Sequence, residues 1–233
     1  GPVTGALALA ATRQLEEMGL RLSRLTVDLF RPVEAAPIEV TSRLVRSGRR
    51  LALLELTLAA DGVPSARGAA LALRGADAGW LDGADAVPLP DPEALRSEPR
   101  PAVAAVRPGF HTTLEVRGLE RREWNGAVDA RAWVRLPCPF VAGEEVPALV
   151  VAAAIADFAN GLAHVRSGAE FGFINADVTF LAVRAPRGSW VGVHARSRVT
   201  AGGLGRIETR FFDRDGEFGS GLQTLLSNRR AVQ

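Results

Sequence analysis

Leu51-Ala52-Leu53-Leu54-Glu55-Leu56-Thr57-Leu58-Ala59-Ala60-Asp61-Gly62 decides how the chain is read, because a similar stretch returns as Gly205-Arg206-Ile207-Glu208-Thr209-Arg210-Phe211-Phe212-Asp213-Arg214-Asp215-Gly216. Each is a strand-like run of eight residues followed by an Asp-Gly turn. The next strand, Ala66 to Leu73 in one and Ser220 to Ser227 in the other, completes a hairpin. The offset between the two turns is 154, which is 215 less 61. Upstream, Leu29-Phe30-Arg31-Pro32 is echoed by Ala182-Val183-Arg184 before Pro186 at an offset of 153. A small-residue helix followed by four strands thus runs from Pro2 to Arg74 and again from Pro147 to Arg229, which points to a tandem duplication.

Periodicity fills in the elements. The first helix spans 2–18 and stops at Gly19, with strands at 22–31, 37–46, 50–60 and 65–74. From Gly75 to Pro108 the pattern fails and prolines crowd in, which predicts a linker wrapped over the surface. Two strands near 111–117 and 127–135 precede the second helix, at 146–161, and strands at 174–184, 189–200, 204–213 and 218–229 follow it. The second helix is apolar on nearly every face, so it belongs inside the protein. The expected class is α+β: two tandem units, each a central helix wrapped by a curved antiparallel sheet. Their spans are 1–80 for the N-terminal unit, 81–108 for the Pro-rich linker and 109–233 for the C-terminal unit. The first unit has no counterpart to residues 111–135, and the spacing of the second predicts that about 30 further residues precede Gly1.

Composition removes several function classes. The chain has 233 residues, is 47% hydrophobic and carries a net charge of +2, with arginine supplying all the positive charge and no lysine. The arginines are dispersed; Arg196, Arg198, Arg206 and Arg210 alternate along strands rather than forming a basic stripe with stacking aromatics, so nucleic acid is not the expected partner. They can instead meet an anionic phosphate such as that of a nucleotide-tailed substrate. No apolar run reaches the roughly 18 residues that would span a bilayer, and no signal peptide is visible, so a cytoplasmic protein without membrane attachment is expected. The single Cys138, between prolines, allows no internal disulfide and is expected to be a buried structural thiol. His111, His164 and His194 lack metal-ligand spacing, and neither a metal nor a cofactor is expected.

Polar residues in apolar company remain. Asp157 interrupts the buried helix, Asn175, Asp177 and Thr179 alternate on the next strand, and Gln223 stands among Leu222, Leu225 and Leu226 on the last one. The matching positions of the first unit are Leu22 for Asn175, Ala69 for Gln223 and roughly Thr12 for Asp157, so the set exists once. Each member also has a structural reading: Asp157 can cap a kinked helix or pair with an arginine, Gln223 can bond an edge backbone, and Asn175 can open a strand.

The runs Leu25-Thr26-Val27-Asp28-Leu29-Phe30-Arg31-Pro32, Ala156-Asp157-Phe158-Ala159-Asn160-Gly161 and Phe173-Ile174-Asn175-Ala176-Asp177 resemble the thioesterase-like branch of the acyl-CoA thioesterase II family. That resemblance implies a double hotdog fold and an acyl-CoA substrate, hydrolysed to a free acid and coenzyme A by direct attack of water. It also implies a water-holding set of an Asp on the second helix, a Thr or Ser on the next strand and a Gln on the last. These roles fall on Asp157, Asn175 and Gln223, with Asn175 replacing the hydroxyl residue and Thr179 the substitute should the register differ. The alternative is a non-hydrolytic acyl-CoA or lipid-binding hotdog protein. A homodimer or higher homo-oligomer is expected from the edge pairing of such sheets.

Overall fold

Two apolar helices lie inside one antiparallel sheet of eleven strands. The computed structural model describes residues 1–75, 89–98, 109–165 and 171–229. The first unit comprises α1 (Pro2–Glu16), β1 (Arg21–Leu29), β2 (Ile38–Ser47), β3 (Leu51–Ala60) and β4 (Val63–Leu73). After it come α2 (Phe110–Thr113), β5 (Glu115–Trp124), β6 (Ala127–Arg135), α3 (Ala148–Asp157) and α4 (Ala159–Leu162). The strands β7 (Phe171–Asn175), β8 (Asp177–Ala182), β9 (Val191–Val199), β10 (Leu204–Asp213) and β11 (Gly216–Arg229) close the chain. The sheet order is β2-β3-β4-β1-β8-β11-β10-β9-β6-β5, with β7 also on β11.

Local chemistry explains the elements. Pro2 fixes the backbone at the start of α1, and Gly19, at φ 62°, turns the chain out of it, with Leu20 N–H closing on the Leu15 carbonyl at 3.1 Å. On β3, Ala52, Leu54, Leu56 and Leu58 face the helices and are buried, while Leu51, Leu53, Glu55 and Thr57 face outward. The helices run antiparallel: Gly1 meets Asp157, and Gly5 lies so close to Ala154 that a Cβ there would come within 2.9 Å of its methyl carbon. Glycine is required there because a Cβ would also fall 2.4 Å from the Phe140 ring, so any side chain would collide with that ring and with α3.

The strands that follow the helices in the two units are related by one offset of 153, which corrects the 154 expected for the last hairpin. β3 and β10 begin at 51 and 204 and end at 60 and 213. The bulges also repeat, at Ser23 and Ala176 and at Ser65 and Phe218. The error arose from the turns: Asp61 and Gly62 both adopt positive φ between Ala60 and Val63, whereas Arg214-Asp215 occupies that place in the second hairpin and Gly216 opens the next strand. Gln223 therefore corresponds to Ala70, not Ala69. Strands β1 and β8 join the halves, with Thr26 opposite Thr179, its own equivalent at an offset of 153, and their hydroxyl oxygens 3.4 Å apart.

Three further expectations change. The strand expected at 111–117 is a helical turn followed by β5, and the second helix breaks at Phe158. Cys138 is exposed, because the chain leaves β6 for a loop there and has no core to enter. Of the expected linker, residues 89–98 are described, and they strap the outer face of the second unit. Trp133 and Trp190 pack with Leu89, Trp133 Nε1 donates to the Pro90 carbonyl at 2.7 Å, and Trp190 Nε1 donates to Glu93 Oε1 at 2.9 Å. The guanidinium groups of Arg117 and Arg135 lie 4.8 and 4.5 Å from the Trp190 ring centre.

Asp213 is fully buried and accepts from Arg184 Nη2 at 2.7 Å, from Arg184 Nη1, and from the Arg187 and Asp215 N–H groups at 2.9 Å each. Burial opposes its charge, but Arg184 and the two amides outweigh it and hold the carboxyl below its ordinary range. Arg184→Met should lower stability by about 3 kcal/mol, since the carboxylate stays buried without its cation. Urea denaturation at neutral pH measures this, and the loss should shrink as acid protonates Asp213 in the folded variant, where Arg184 no longer holds it ionised.

Candidate active site

The helix break at Phe158 builds the site. The last turn of α3 tightens, with Phe158 N–H reaching the Ile155 carbonyl at 2.9 Å, and Gly161 N–H then bonds Phe158 rather than Asp157, at 2.8 Å. The Asp157 carbonyl is thereby left without a helical partner. Two side-chain amides from the sheet satisfy it: Asn175 Nδ2 and Gln223 Nε2 each donate to that oxygen at 3.1 Å. Asn175 Nδ2 also donates to Asp157 Oδ1 at 2.7 Å, and Oδ2 receives the nitrogen of Gly1, the N-cap of α1. Asp157, Asn175 and Gln223 are thus brought together from α3, β7 and β11.

Their depth is graded. The Asp157 side chain is 17% exposed and Gln223 only 2%. Asp157 and Asn175 line a cavity of about 740 Å³, whose walls include Phe110, Leu114, Val116 and Phe158. The amide oxygens of Asn175 and Gln223 are buried without a protein partner, so both remain able to accept from a small polar molecule.

The bulge at Ala176 separates residues expected to share a face. Phe173 and Asn175 point toward the helices, but so do Val178, Phe180 and Ala182, leaving Asp177 and Thr179 on the outer side. Thr179 therefore meets Thr26 across the seam and is no substitute for Asn175. Asp177 Oδ1 accepts from Thr224 N–H at 2.7 Å, a strand-fixing contact.

Asn160 and His111 were not singled out from the sequence. Asn160 lines the same cavity, donates to the Phe173 carbonyl at 2.9 Å and keeps its own buried Oδ1 unpartnered. Its position three residues after Asp157 was the available signal, because that spacing places two side chains on one helical face. His111 reaches the cavity from the short α2, and nothing in its surrounding sequence marks it.

The surface arginines do not serve the cavity. Arg196 Nε donates to Asp129 at 2.9 Å, Arg206 to Glu208 at 2.9 Å and Arg210 to Glu217 at 2.7 Å, each on the outer face. His194 Nε2 lies 3.0 Å from Asp129, also on the outer side, since the neighbouring Val128 and Ala130 point inward. This His-carboxylate pair is thus apart from the cavity. Among the described residues, no group of three or more His, Cys, Asp or Glu is placed to hold a metal. No described helix is long and apolar enough to cross a membrane.

Comparison with known proteins agrees with this geometry. An acyl-CoA thioesterase II from Mycobacterium marinum superposes with a TM-score of 0.74 at 17% identity, covering 99% of this chain and 89% of that one. A hot dog fold protein from Alicyclobacillus acidocaldarius gives 0.70 at 18% identity, covering 100% and 88%. A tesB protein from Mycobacterium avium subspecies paratuberculosis gives 0.70 at 16%, covering 97% and 85%. The fold is therefore the α+β hotdog. None of the curated proteins matches the chain. Residues 1–73 match the acyl-CoA thioesterase N-terminal domain and residues 83–227 the acyl-CoA thioesterase C-terminal domain, so the chain belongs to the acyl-CoA thioesterase family and is a thioester hydrolase.

Two stability measurements follow from these contacts. Gln223→Met keeps the volume but removes one of two donors to the Asp157 carbonyl, and it should cost about 1 kcal/mol in urea denaturation. His194 is buried, and burial pushes its pKa below the ordinary histidine value; Asp129 opposes this, while Arg196 and Arg131 add to it. A depressed folded-state pKa gives stability that is present above about pH 6.5 and lost as pH falls. Thermal melts between pH 7.5 and 5 should show this decline, and His194→Asn should flatten it.

Proposed function

We propose that the chain is a double hotdog, with units over 1–80 and 109–233, that hydrolyses an acyl-CoA thioester by direct attack of water at Asp157. The convergence of Asn175 and Gln223 on Asp157, with Asp157 and Asn175 lining the 740 Å³ cavity, carries this reading. Water donates one O–H to the Asp157 carboxylate and the other to the free amide oxygen of Asn175 or Gln223. Its lone pair is thereby turned toward the thioester carbon.

Asp157 takes the proton as the C–O bond forms, and the carbonyl becomes an oxyanion. Gly1 brings the N-terminal end of α1 beside Asp157. The positive end of that helix dipole favours the developing charge. Collapse of the tetrahedral species breaks the C–S bond, and the departing coenzyme A thiolate takes up the proton. Asn175 replaces the hydroxyl that the family resemblance calls for, and an amide supplies the same two functions, donor to the carboxylate and acceptor from water.

The acyl chain lies along the apolar walls formed by Phe110, Leu114, Val116 and Phe158. The enzyme acts in the cytoplasm as a homodimer or higher homo-oligomer. Leu204, Leu222 and Leu226, 57, 47 and 46% exposed on the outer face, support association.

Thiol release from acyl-CoAs of graded chain length tests the assignment. Turnover is expected with at least one, and Asp157→Asn should lower kcat by about 10²- to 10⁴-fold with the fold retained. A full rate in Asp157→Asn would remove the proposed base. Saturable binding of every acyl-CoA without thiol release would mark a non-hydrolytic binder.

A further inference from the structure

The duplication gives the first unit a cavity of its own. The catalytic cavity lies where the N-cap of α1, Gly1, meets the end of α3 and the strand residue Asn175. A second cavity, of about 570 Å³, lies where the N-cap of α3, Pro147, meets Thr12 and Glu16 near the end of α1 and Leu22 on β1. Leu22 is the equivalent of Asn175 at the offset of 153. No aspartate stands at the helix end, and the Gln223 equivalent is Ala70, so the second cavity lacks the groups that would hold an attacking water.

Its charge differs as well. Among the described residues, Glu98, Glu115 and Asp157 line the catalytic cavity, with His111 and no arginine. Among the described residues, the second is lined by Arg21, Arg24, Arg184 and one carboxylate, Glu16. Arg184 is committed to Asp213. Neither Arg21 nor Arg24 has a carboxylate partner among the described residues, and the buried Nε of Arg24 has no hydrogen-bond partner. A buried charged donor without an acceptor is costly, and an anion at that wall would satisfy it. Leu20, Leu22, Leu71 and Leu149 supply apolar wall beside these cations.

An apolar pocket with arginines on its wall suits an amphiphile with an anionic head. We propose that this cavity is a non-catalytic site for a medium- or long-chain carboxylate, with the headgroup on Arg21 and Arg24 and the chain against the leucines. The choice of a carboxylate rests on the thioesterase reading, since such an acid is the reaction's product. The site's existence rests on the cavity and its arginines alone.

The test is isothermal titration of laurate and methyl laurate into the full chain and into Arg21→Gln/Arg24→Gln. Laurate binding to the unmodified chain should contain a component that weakens at least about tenfold in the double variant, while Arg24→Lys, which keeps the charge, stays within about threefold. Methyl laurate, without the anion, should not show that component. Thermal melts of the variants confirm folding, and thiol release from acyl-CoA, unchanged in the double variant, reads the catalytic cavity independently. Equal laurate affinity in the unmodified chain and the folded double variant would overturn the proposal, as would methyl laurate binding with the same arginine dependence. Loss of thiol release in Asp157→Asn with the laurate component intact would locate the two functions in different cavities.

Discussion

The antiparallel pairing of β1 with β8 is the contact on which the architecture depends. It turns two partial sheets, each with an open edge beside its helix, into one continuous surface that encloses α1 and α3 together. Because Thr26 and Thr179 are equivalent residues facing each other, the seam lies on an approximate twofold axis. That axis brings the start of each helix to the end of the other, and the close crossing at Gly5 and Ala154 keeps them there. Both cavities follow from this one arrangement.

What separates the cavities is how each helix ends. α1 finishes at Glu16 in a turn that exits at Gly19, and the Arg74 side chain covers the carbonyls of that turn, bonding Met18 at 2.7 Å and Gly19 at 3.2 Å. α3 finishes without a glycine, and Asn175 and Gln223 do the corresponding work on Asp157. A helix terminus must be satisfied in either case. In the second unit the satisfying groups are amides whose oxygens stay available, so the same contacts that end the helix leave polar atoms at the end of a cavity.

Much of the fold was legible because buried strands alternate and turns carry glycine. The alternation of β3 and the αL exit at Gly19 are readable from side-chain type alone. Asp-Gly does not mark equal positions in the two last hairpins, because the backbone turns one residue earlier in the second copy. The bulge at Ala176 was invisible for a different reason: Asn175, Ala176, Asp177, Val178 and Thr179 continue a perfect alternation, and only pairing to β11 shows the slip. Asp157 was readable as a carboxylate in an apolar helix. Its partners in space were accessible only through the resemblance, and the wall residues Asn160 and His111 required three dimensions.

A seam between equivalent strands is self-complementary. What β1 offers β8 within one chain, it also offers, on comparable terms, to β1 of another chain, with Thr26 facing Thr26. During synthesis or refolding the correct closure must therefore outcompete an exchanged assembly, and it does so through the covalent connection between the halves, which keeps the proper partner at a high effective concentration. Within that connection, residues 89–98 are fixed on the second unit by Trp133 and Trp190. Seam residues outside both cavities, Thr26 and Thr179 among them, thus bear on whether the chain closes on itself or on its neighbour.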